Sequence, residues 1–595
     1  AVEDIRFVLG DADNGWQWFD SIRDERQANR RATLTVNMTA QHCNQIINAI
    51  RQNRPQSRIL PADNFADKKT AEILGGLIRN IQTASAADEA HDNAAQYSIW
   101  GGEGYWRIRT DYESPTSFNQ QILIDPILNP FLVLIDPYCR TMDKSDAEWG
   151  FIFEDIPRSQ SLREHPNIDP ASWIEDPGGW VCKDTVRRAE YFYCEYVEDE
   201  ALLLEDGSSV LKSEADKIPG YEDFVIESRK TQRRQWKWCK LLGGEDKPVD
   251  ARDWPGSFLP IVQVVGVEAN VNGEIVRKGL VRDLKDPARM VNYTYSAAIE
   301  TIALQNKVPY IAAAEAVAGH ENEWGAANVE NFAYLKWNAY DANGNQVPKP
   351  ERQQASVLPS AQVQMLQLST EQMRAASGQQ NANFGIRSEA SSGIGIQRLK
   401  QQGEVATFHF PDNLARALRY EAVILLDLIP KVYDTRRVVR ILGLDGRAET
   451  ATLDPAAVQA YEEKYAAEVE RIFNPQMGTY DVVIDTGPSY MTQRQEAFAA
   501  LTELAGQRPE LMQIAGDIIM RAADFPMAEQ LAERLEKTLP PGLLDEKNQP
   551  PVPPAAQQKI TQLEQQAQQM AQMLDAAEAE MARLEQEKQA DAEKN

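Results

Sequence analysis

The sequence has no run of about 18 apolar residues, and even its greasiest stretch, Ala422 to Ile429, carries Asp427, so no bilayer-spanning helix is expected. The opening Ala1-Val2-Glu3-Asp4 lacks the basic start and apolar core of a secretion signal, and secretion is not indicated. Cysteine is scarce: Cys43, Cys139, Cys182, Cys194 and Cys239 are an odd, scattered set with no C-x-x-C pair, which argues against a disulfide framework or a zinc knuckle and for reduced thiols. Histidine is equally sparse. His42, His91, His165, His320 and His409 lie far apart with no H-E-x-x-H spacing, so metal catalysis gains no support. No G-x-x-x-x-G-K-[ST] loop is present, and Gly101-Gly102-Glu103-Gly104 and Gly393-Ile394-Gly395 both fail the spacing and the strand-to-helix context of a dinucleotide-binding turn. Positive charge is in deficit. Lys and Arg number 62 against 89 Asp and Glu, a net charge of −27, the wrong sign for a protein that grips phosphates over most of its surface.

What is present is a multidomain chain. At 595 residues with 43% apolar and 25% charged residues, it exceeds one domain several-fold and has the composition of an ordinary folded protein. Ala40, Cys43, Ile47 and Ile50 recur at helical spacing, as do Ala71, Leu74, Ile78 and Ile81, and Cys43 thereby falls in a core. From Gly104 the pattern turns extended: Tyr105–Thr110, Gln121–Ile124, Phe131–Ile135, Tyr191–Val197, Gln235–Leu242 and Phe258–Val267 read as strands. Asp286-Pro287 reads as a helix opening, with Asp as N-cap, and Ala288, Val291, Tyr295, Ala298 and Ile302 then form one apolar seam until Pro309.

Turn signals such as Asn343-Gly344 make Pro309–Pro359 a small α/β insertion, with helical character returning at Ala361–Ala376. After a Gly-, Asn- and Ser-rich break from Ser377 to Gly395, Leu414, Leu418, Ala422, Leu425 and Ile429 give a helical stripe ended by Pro430. Strands at Val438–Leu442 and Asp481–Asp485 are expected around a helix near Ala456–Ile472, with a helical tract over Thr492–Leu539 and a stiff Pro-rich linker after it. Beyond the linker, Ile560, Ala567, Leu574 and Met581, with Leu563, Met570, Ala577 and Leu584 three positions later, mark a heptad seam. Such a seam is buried by packing with other copies or left as a solvated tail.

Candidate chemistry is thin. Asp283 and Asp286 read best as charge at a helix N-terminus, and no catalytic triad can be assembled from spacing. One basic cluster comprises Arg23, Arg26, Arg30, Arg31, Arg51, Arg54 and Arg58. A second, Arg229, Lys230, Arg233, Arg234, Lys237 and Lys240 around Trp236 and Trp238, has the composition of a nucleic-acid-binding strand. Alternation offers the other reading, an amphipathic strand with both Trp rings on its buried face. A third, sparse cluster is Arg387, Arg398 and Lys400 around the Gly-rich break.

An ordered set of segments resembles the portal, or head-to-tail connector, proteins of short-tailed bacteriophages. These are Leu34-Thr35-Val36-Asn37 with Gln52-Asn53-Arg54-Pro55; Thr70-Ala71-Glu72-Ile73-Leu74 with Gly76-Leu77-Ile78-Arg79; and Gly104-Tyr105-Trp106-Arg107. Asn413-Leu414 through Leu426-Asp427-Leu428-Ile429-Pro430, and Gly487-Pro488-Ser489-Tyr490 with Gln493-Arg494-Gln495-Glu496-Ala497, complete it. Glu103 stands where Phe or a similar residue would be expected between the glycines.

The resemblance implies an α+β portal fold: a mixed wing over 1–282, a first stem helix at 283–308, a small α/β clip at 309–360 and a second stem helix at 361–379. A tunnel-loop region would follow at 380–395, a long wing or tunnel helix at 396–433, wing strands and a helix at 434–491, a helical crown at 492–539, a linker at 540–555 and a coiled-coil or barrel helix at 556–595. It also implies a ring of about twelve copies at a unique capsid vertex of the virion, assembled in the host cytoplasm, for DNA packaging and ejection. Its partners would be capsid and scaffolding proteins, a terminase packaging motor and then tail adaptor proteins. Double-stranded DNA would pass through weakly and without sequence preference, Arg387, Arg398 and Lys400 being candidate tunnel contacts. No catalytic, cofactor or metal residue and no membrane is implied. The competing expectations are a packaging nuclease or ATPase, against which the missing motifs argue, and a coiled-coil assembly scaffold.

Overall fold

A computed structural model describes residues 1–62, 66–168, 179–205, 207, 209–216, 224–305, 308–353, 360–379, 405–443, 448–457, 459–465, 469–485, 498, 501–508, 511–523 and 527–536. The chain divides into two compact units, Ala1–Ser489 and Tyr490–Asn595. The first is mixed α and β. It opens with helices α1 (Val2–Val8), α2 (Asp20–Ala28) and α3 (Met38–Gln52), then strand β1 (Gln56–Pro61), α4 (Lys68–Ala84) and α5 (Ala87–Gly101). Asn37 caps α3 by accepting the Ala40 N–H at 3.1 Å, and Asp67 caps α4 through Lys69 and Thr70 at 2.8 and 3.2 Å. The predicted stripes on α3 and α4 face inward, with Cys43, Ile47, Leu74 and Ile78 in one large core.

Gly102, at φ +103°, ends α5, and the chain reverses directly into β2 (Glu103–Tyr112). Gly104 is required by close approach: a Cβ there would lie 2.1 Å from the Ala94 carbonyl oxygen, so β2 crosses α5 backbone to backbone. The sequence is then β3 (Gln120–Pro126), β4 (Val133–Ile135), β5 (Trp149–Pro157), α6 (Arg158–Glu164), β6 (Thr185–Leu204), β7 (Ser209–Leu211), α7 (Lys212–Ala215), β8 (Val225–Leu242), β9 (Asp250–Asp253), β10 (Ile261–Val265), β11 (Val267–Val271) and β12 (Glu274–Lys278). Strands order as β10-β2-β3 in one sheet and β4-β5-β6-β8-β9 in another, with β7 on the far part of β6. The expected single strand Phe258–Val267 is broken at Gly266, where a Cβ would meet the Ser98 carbonyl at 2.6 Å.

Helix α8 (Val281–Gln305) begins five residues before the expected opening and carries Pro287 inside it, so Asp286 is not its N-cap. The burial of Val281 and Leu284 favours the earlier turns and offsets the one backbone hydrogen bond that Pro287 cannot donate. The insertion holds β13 (Tyr310–Ile311), α9 (Ala314–Val317), α10 (Glu321–Ala326) and β14 (Glu351–Arg352), with β13 paired to β14 and a turn at Asn343-Gly344. Helix α11 (Ser360–Ser377) packs along α8. Helix α12 (His409–Val432) runs two residues past Pro430 because Ile429 and Val432 are both buried.

Strands β15 (Arg437–Leu442), β16 (Ala448–Leu453), β17 (Tyr461–Tyr465) and β18 (Val469–Phe473) form a four-stranded sheet, and β19 (Tyr480–Asp485) pairs with β1. The helix expected near Ala456–Ile472 is thus a strand pair. Its Ala- and Glu-rich composition favours helix locally, but β18 aligns parallel to β16 and buries Ile472 and Phe473, a tertiary gain that overrides propensity. In the second unit, α13 (Leu511–Ala522) and α14 (Ala528–Glu536) pack together, burying Ile519, Ala528 and Ala532. The Pro-rich linker and the heptad segment lie outside the described residues.

Candidate functional site

Helix α8 is tied to the N-terminal segment by a series of polar contacts. Its side toward the N-terminal segment carries short polar residues, and each is engaged. Val36 N–H donates to Asn292 Oδ1 at 2.7 Å, Leu34 N–H to Ser296 Oγ at 2.9 Å, and Asn292 Nδ2 to Gln17 Oε1 at 2.9 Å. Near the start of the helix, Lys285 and Arg282 reach Asp4 at 2.6 and 2.9 Å. Burial alone would raise the Asp4 pKa, but its hydrogen bond to Lys285, the Lys285 charge and its hydrogen bond to Arg282 outweigh that and hold it below the ordinary value. Near the end, Arg26 and Arg31 converge on Glu300 at 3.3 and 2.8 Å. Arg26 is almost fully buried, its guanidinium 5.2 Å from the Tyr293 ring centroid and 5.9 Å from that of Trp18. The N-terminal 37 residues therefore clasp α8 along its length.

The apolar seam of α8 divides in two. Ala288 and Val291 are buried as expected, but Tyr295 is 40% and Ile302 51% exposed, and Ile299 joins them on the open side. On α11, Val363, Met365 and Leu368 are likewise exposed. Two neighbouring helices thus offer apolar side chains to water, a pattern that a lone chain gains nothing from.

The first basic cluster does not form one patch. Arg23 binds Asp20 and Asp24, Arg26 and Arg31 bind Glu300, and Arg51 and Arg54 bind Asp92, with Arg54 also on Asp88. In the second, alternation decides: Trp236 and Trp238 are buried with Phe192 and Leu259, so β8 is an amphipathic strand and its rings are closed to stacking bases. Trp236 Nε1 donates to the Ser257 carbonyl at 2.9 Å and Trp238 Nε1 to Glu190 at 2.9 Å. Arg387, Arg398 and Lys400 lie outside the described residues.

Asp283 sits in the first turn of α8 with Lys278 at 2.9 Å, and Asp286 one turn on with Arg289 at 3.4 Å. Glu103 is accommodated by polarity: Arg277 pairs with it at 2.9 Å and the Tyr105 hydroxyl donates to it at 3.0 Å. The histidines are dispersed in space as in sequence. His42 Nδ1 lies 2.8 Å from Gln379 Oε1, and His91 Nε2 2.6 Å from Glu421 Oε2. Among the described residues no group of three or more His, Cys, Asp or Glu side chains is placed to hold a metal ion, and no helix is long and apolar enough to cross a membrane.

Sequence reasoning missed Glu421. It is wholly buried in α12, accepting from Gln82 Nε2 at 2.8 Å and paired with His91. The signal was present, since residue 421 falls on the stripe between Leu418 and Leu425, where a carboxylate must find partners inside.

The sequence profile described as Phage P22-like portal protein matches residues 1–594. A curated protein of Acyrthosiphon pisum secondary endosymbiont phage 1, named Portal protein, is 25% identical over 562 residues, which cover 90% of this chain and 76% of that protein. With the match running over nearly its whole length, the chain belongs to the phage P22-like portal protein family.

Proposed function

We propose that about twelve copies close side by side into a ring around a DNA channel at one vertex of the capsid. Family membership supplies the coarser frame: a structural rather than catalytic role as a phage portal protein, an oligomeric ring at the virion capsid vertex, and packaging and tail partners. The observation that carries the ring reading is the open apolar side of α8 and α11, which adjacent copies would cover.

In this reading residues 1–282 and 434–491 form the wing, 283–308 and 361–379 the stem helices, and 309–360 the clip, where the packaging motor docks during filling and tail adaptors afterwards. Residues 380–395 form the tunnel loop, 396–433 the long helix beside it, 492–539 the crown, and 556–595, after the linker at 540–555, a helical barrel. Assembly takes place in the host cytoplasm with capsid and scaffolding proteins. At −27 per copy the ring is strongly acidic, and an acidic wall keeps duplex DNA from sticking. Arg387, Arg398 and Lys400 would make transient phosphate contacts, screened over about 8 Å at physiological salt.

Purified protein viewed end-on by electron microscopy should show closed rings with a central opening, of mass near twelve times 66.9 kDa and without ATP hydrolysis. Particles lacking an opening under every assembly condition would end the proposal. Replacing Arg387, Arg398 and Lys400 by Ala should alter DNA packaging or retention with the ring intact, and unchanged DNA handling would remove their assigned role.

A further inference from the structure

Strands β6 and β8 form a long two-stranded ribbon whose charges are sorted by strand. Residues 195–200 of β6 read Glu-Tyr-Val-Glu-Asp-Glu, and residues 229–234 of β8 read Arg-Lys-Thr-Gln-Arg-Arg. The register places them at the same level, with Glu195 opposite Gln235 and Glu200 opposite Lys230. At that level each strand has an outer edge without a strand neighbour among the described residues. On β6, pairing with β5 stops at Tyr193 and pairing with β7 starts at Ala201, while on β8 the partner β9 covers only Lys237–Lys240. One strand of the ribbon is thus acidic and the other basic, with Asp199 alone of the acidic run nearly buried, where it accepts from the Ser213 N–H at 3.3 Å and the Ser213 hydroxyl at 2.6 Å.

Cross-strand attraction inside one copy accounts for part of this sorting. Arg233 meets Asp199 at 3.6 Å, and Lys237 meets Glu195 at 2.7 Å. Glu200 turns instead to Lys212 at 3.3 Å, and Arg234 to the carbonyls of Ser145 and Ala147. Arg229, Lys230 and Glu198 are exposed and make no ion pair among the described residues. Edge protection explains charge along both open strands but not the sorting of opposite signs onto the two of them.

Opposite charge on opposite edges of one body is what a head-to-tail ring requires, since each copy then shows its neighbour a surface complementary to the one it shows on its other side. We infer that the β6–β8 ribbon is a lateral contact between copies, the basic Arg229–Arg234 edge of one facing the acidic Glu195–Glu200 edge of the next. The occupant of each edge is a second copy of this chain, and the inference rests on the ring reading above.

The test uses two full-length variants, Arg229→Glu with Lys230→Glu, and Glu195→Lys with Glu198→Lys. The first leaves its 229–234 edge with two Glu against Arg233 and Arg234 and no net charge, and the second leaves its 195–200 edge with two Lys against Asp199 and Glu200, so each alone lacks one of the two complementary charges. Each alone should need at least tenfold more protein than the parent to form rings at low salt, with a melting profile showing that it is folded. Mixed in equal amounts they should recover ring formation, and native mass spectrometry should count the two variants in equal number, as alternation demands. If each variant assembles like the parent, or if folded variants fail to recover on mixing, the lateral-contact assignment is overturned while the ring stands. If the parent itself forms no closed ring, the ring reading and this inference fall together.

Discussion

Glu421 tests whether the core of the first unit is held by a polar knot or only by apolar packing. Three helices meet at its carboxylate: α12 supplies it, α4 supplies Gln82, and α5 supplies His91, whose ring also stands edge-on to Trp106 at 4.8 Å between centroids. Glu421→Ala removes an acceptor from two donors that have little water to turn to, and breaking a buried pair in this way costs about 3–5 kcal/mol. At roughly 2.1 cal/mol/K per residue, the unfolding entropy of the Ala1–Ser489 unit is about 1 kcal/mol/K, so the melting temperature should fall by about 3–5 °C. Glu421→Gln keeps the shape and one acceptor and should cost about 1 kcal/mol, or about 1 °C. Differential scanning calorimetry at one scan rate and fixed protein concentration reads both. An alanine variant that melts within 1 °C of the parent would refute the reasoning, because a buried carboxylate bonded as described cannot be removed at no cost.

Asp4 gives a pH signature. Its folded-state pKa lies below the ordinary value, so its contribution to stability is complete above about pH 4 and is lost as pH falls through the folded value. The melting difference between parent and Asp4→Asn should therefore be constant from pH 7 to 5 and close toward pH 3; a difference that grows on acidification contradicts the assignment. Burial pushes the Cys43 thiol up to about 12, leaving about one thiolate in 10⁴ at pH 8. A thiol reagent at that pH should label exposed Cys182 in the native protein and Cys43 only after denaturant, and native labelling of Cys43 would show that its core is open. Gly104→Ala forces the α5 and β2 backbones apart and should cost more than about 3 kcal/mol, seen as lost solubility or a clearly lower melting temperature; an unchanged melt would contradict the close approach.

Elements whose burial repeats with their own period were legible in the sequence. The stripes on α3, α4 and α12 and the alternation around Trp236 mark faces that end up inside, because period alone tells a side chain which way it points. Boundaries and competition were not legible. Nothing local says that Val281 and Leu284 draw α8 back past Asp286, or that β16 recruits β18 out of a helix-prone stretch, since both outcomes depend on partners far away in sequence. The same limit applies to the surface. The seam of α8 reads as uniform, yet its first half is covered by its own chain while Tyr295 and Ile302 are left outside. The charge sorting between β6 and β8 needed the register, which places residues 195–200 beside 229–234.

Strand β19 closes on β1, and the Thr70 hydroxyl of α4 donates to the Ala460 carbonyl 390 residues further on. At a synthesis rate of about 5–20 residues per second, α4 waits about 20–80 s on the ribosome for that partner. Until then the edge of β1 that β19 covers, with Ile59 opposite Val482, lacks its partner strand. A chain truncated before residue 480 lacks the strand that pairs with β1, so its beginning cannot be closed without its end.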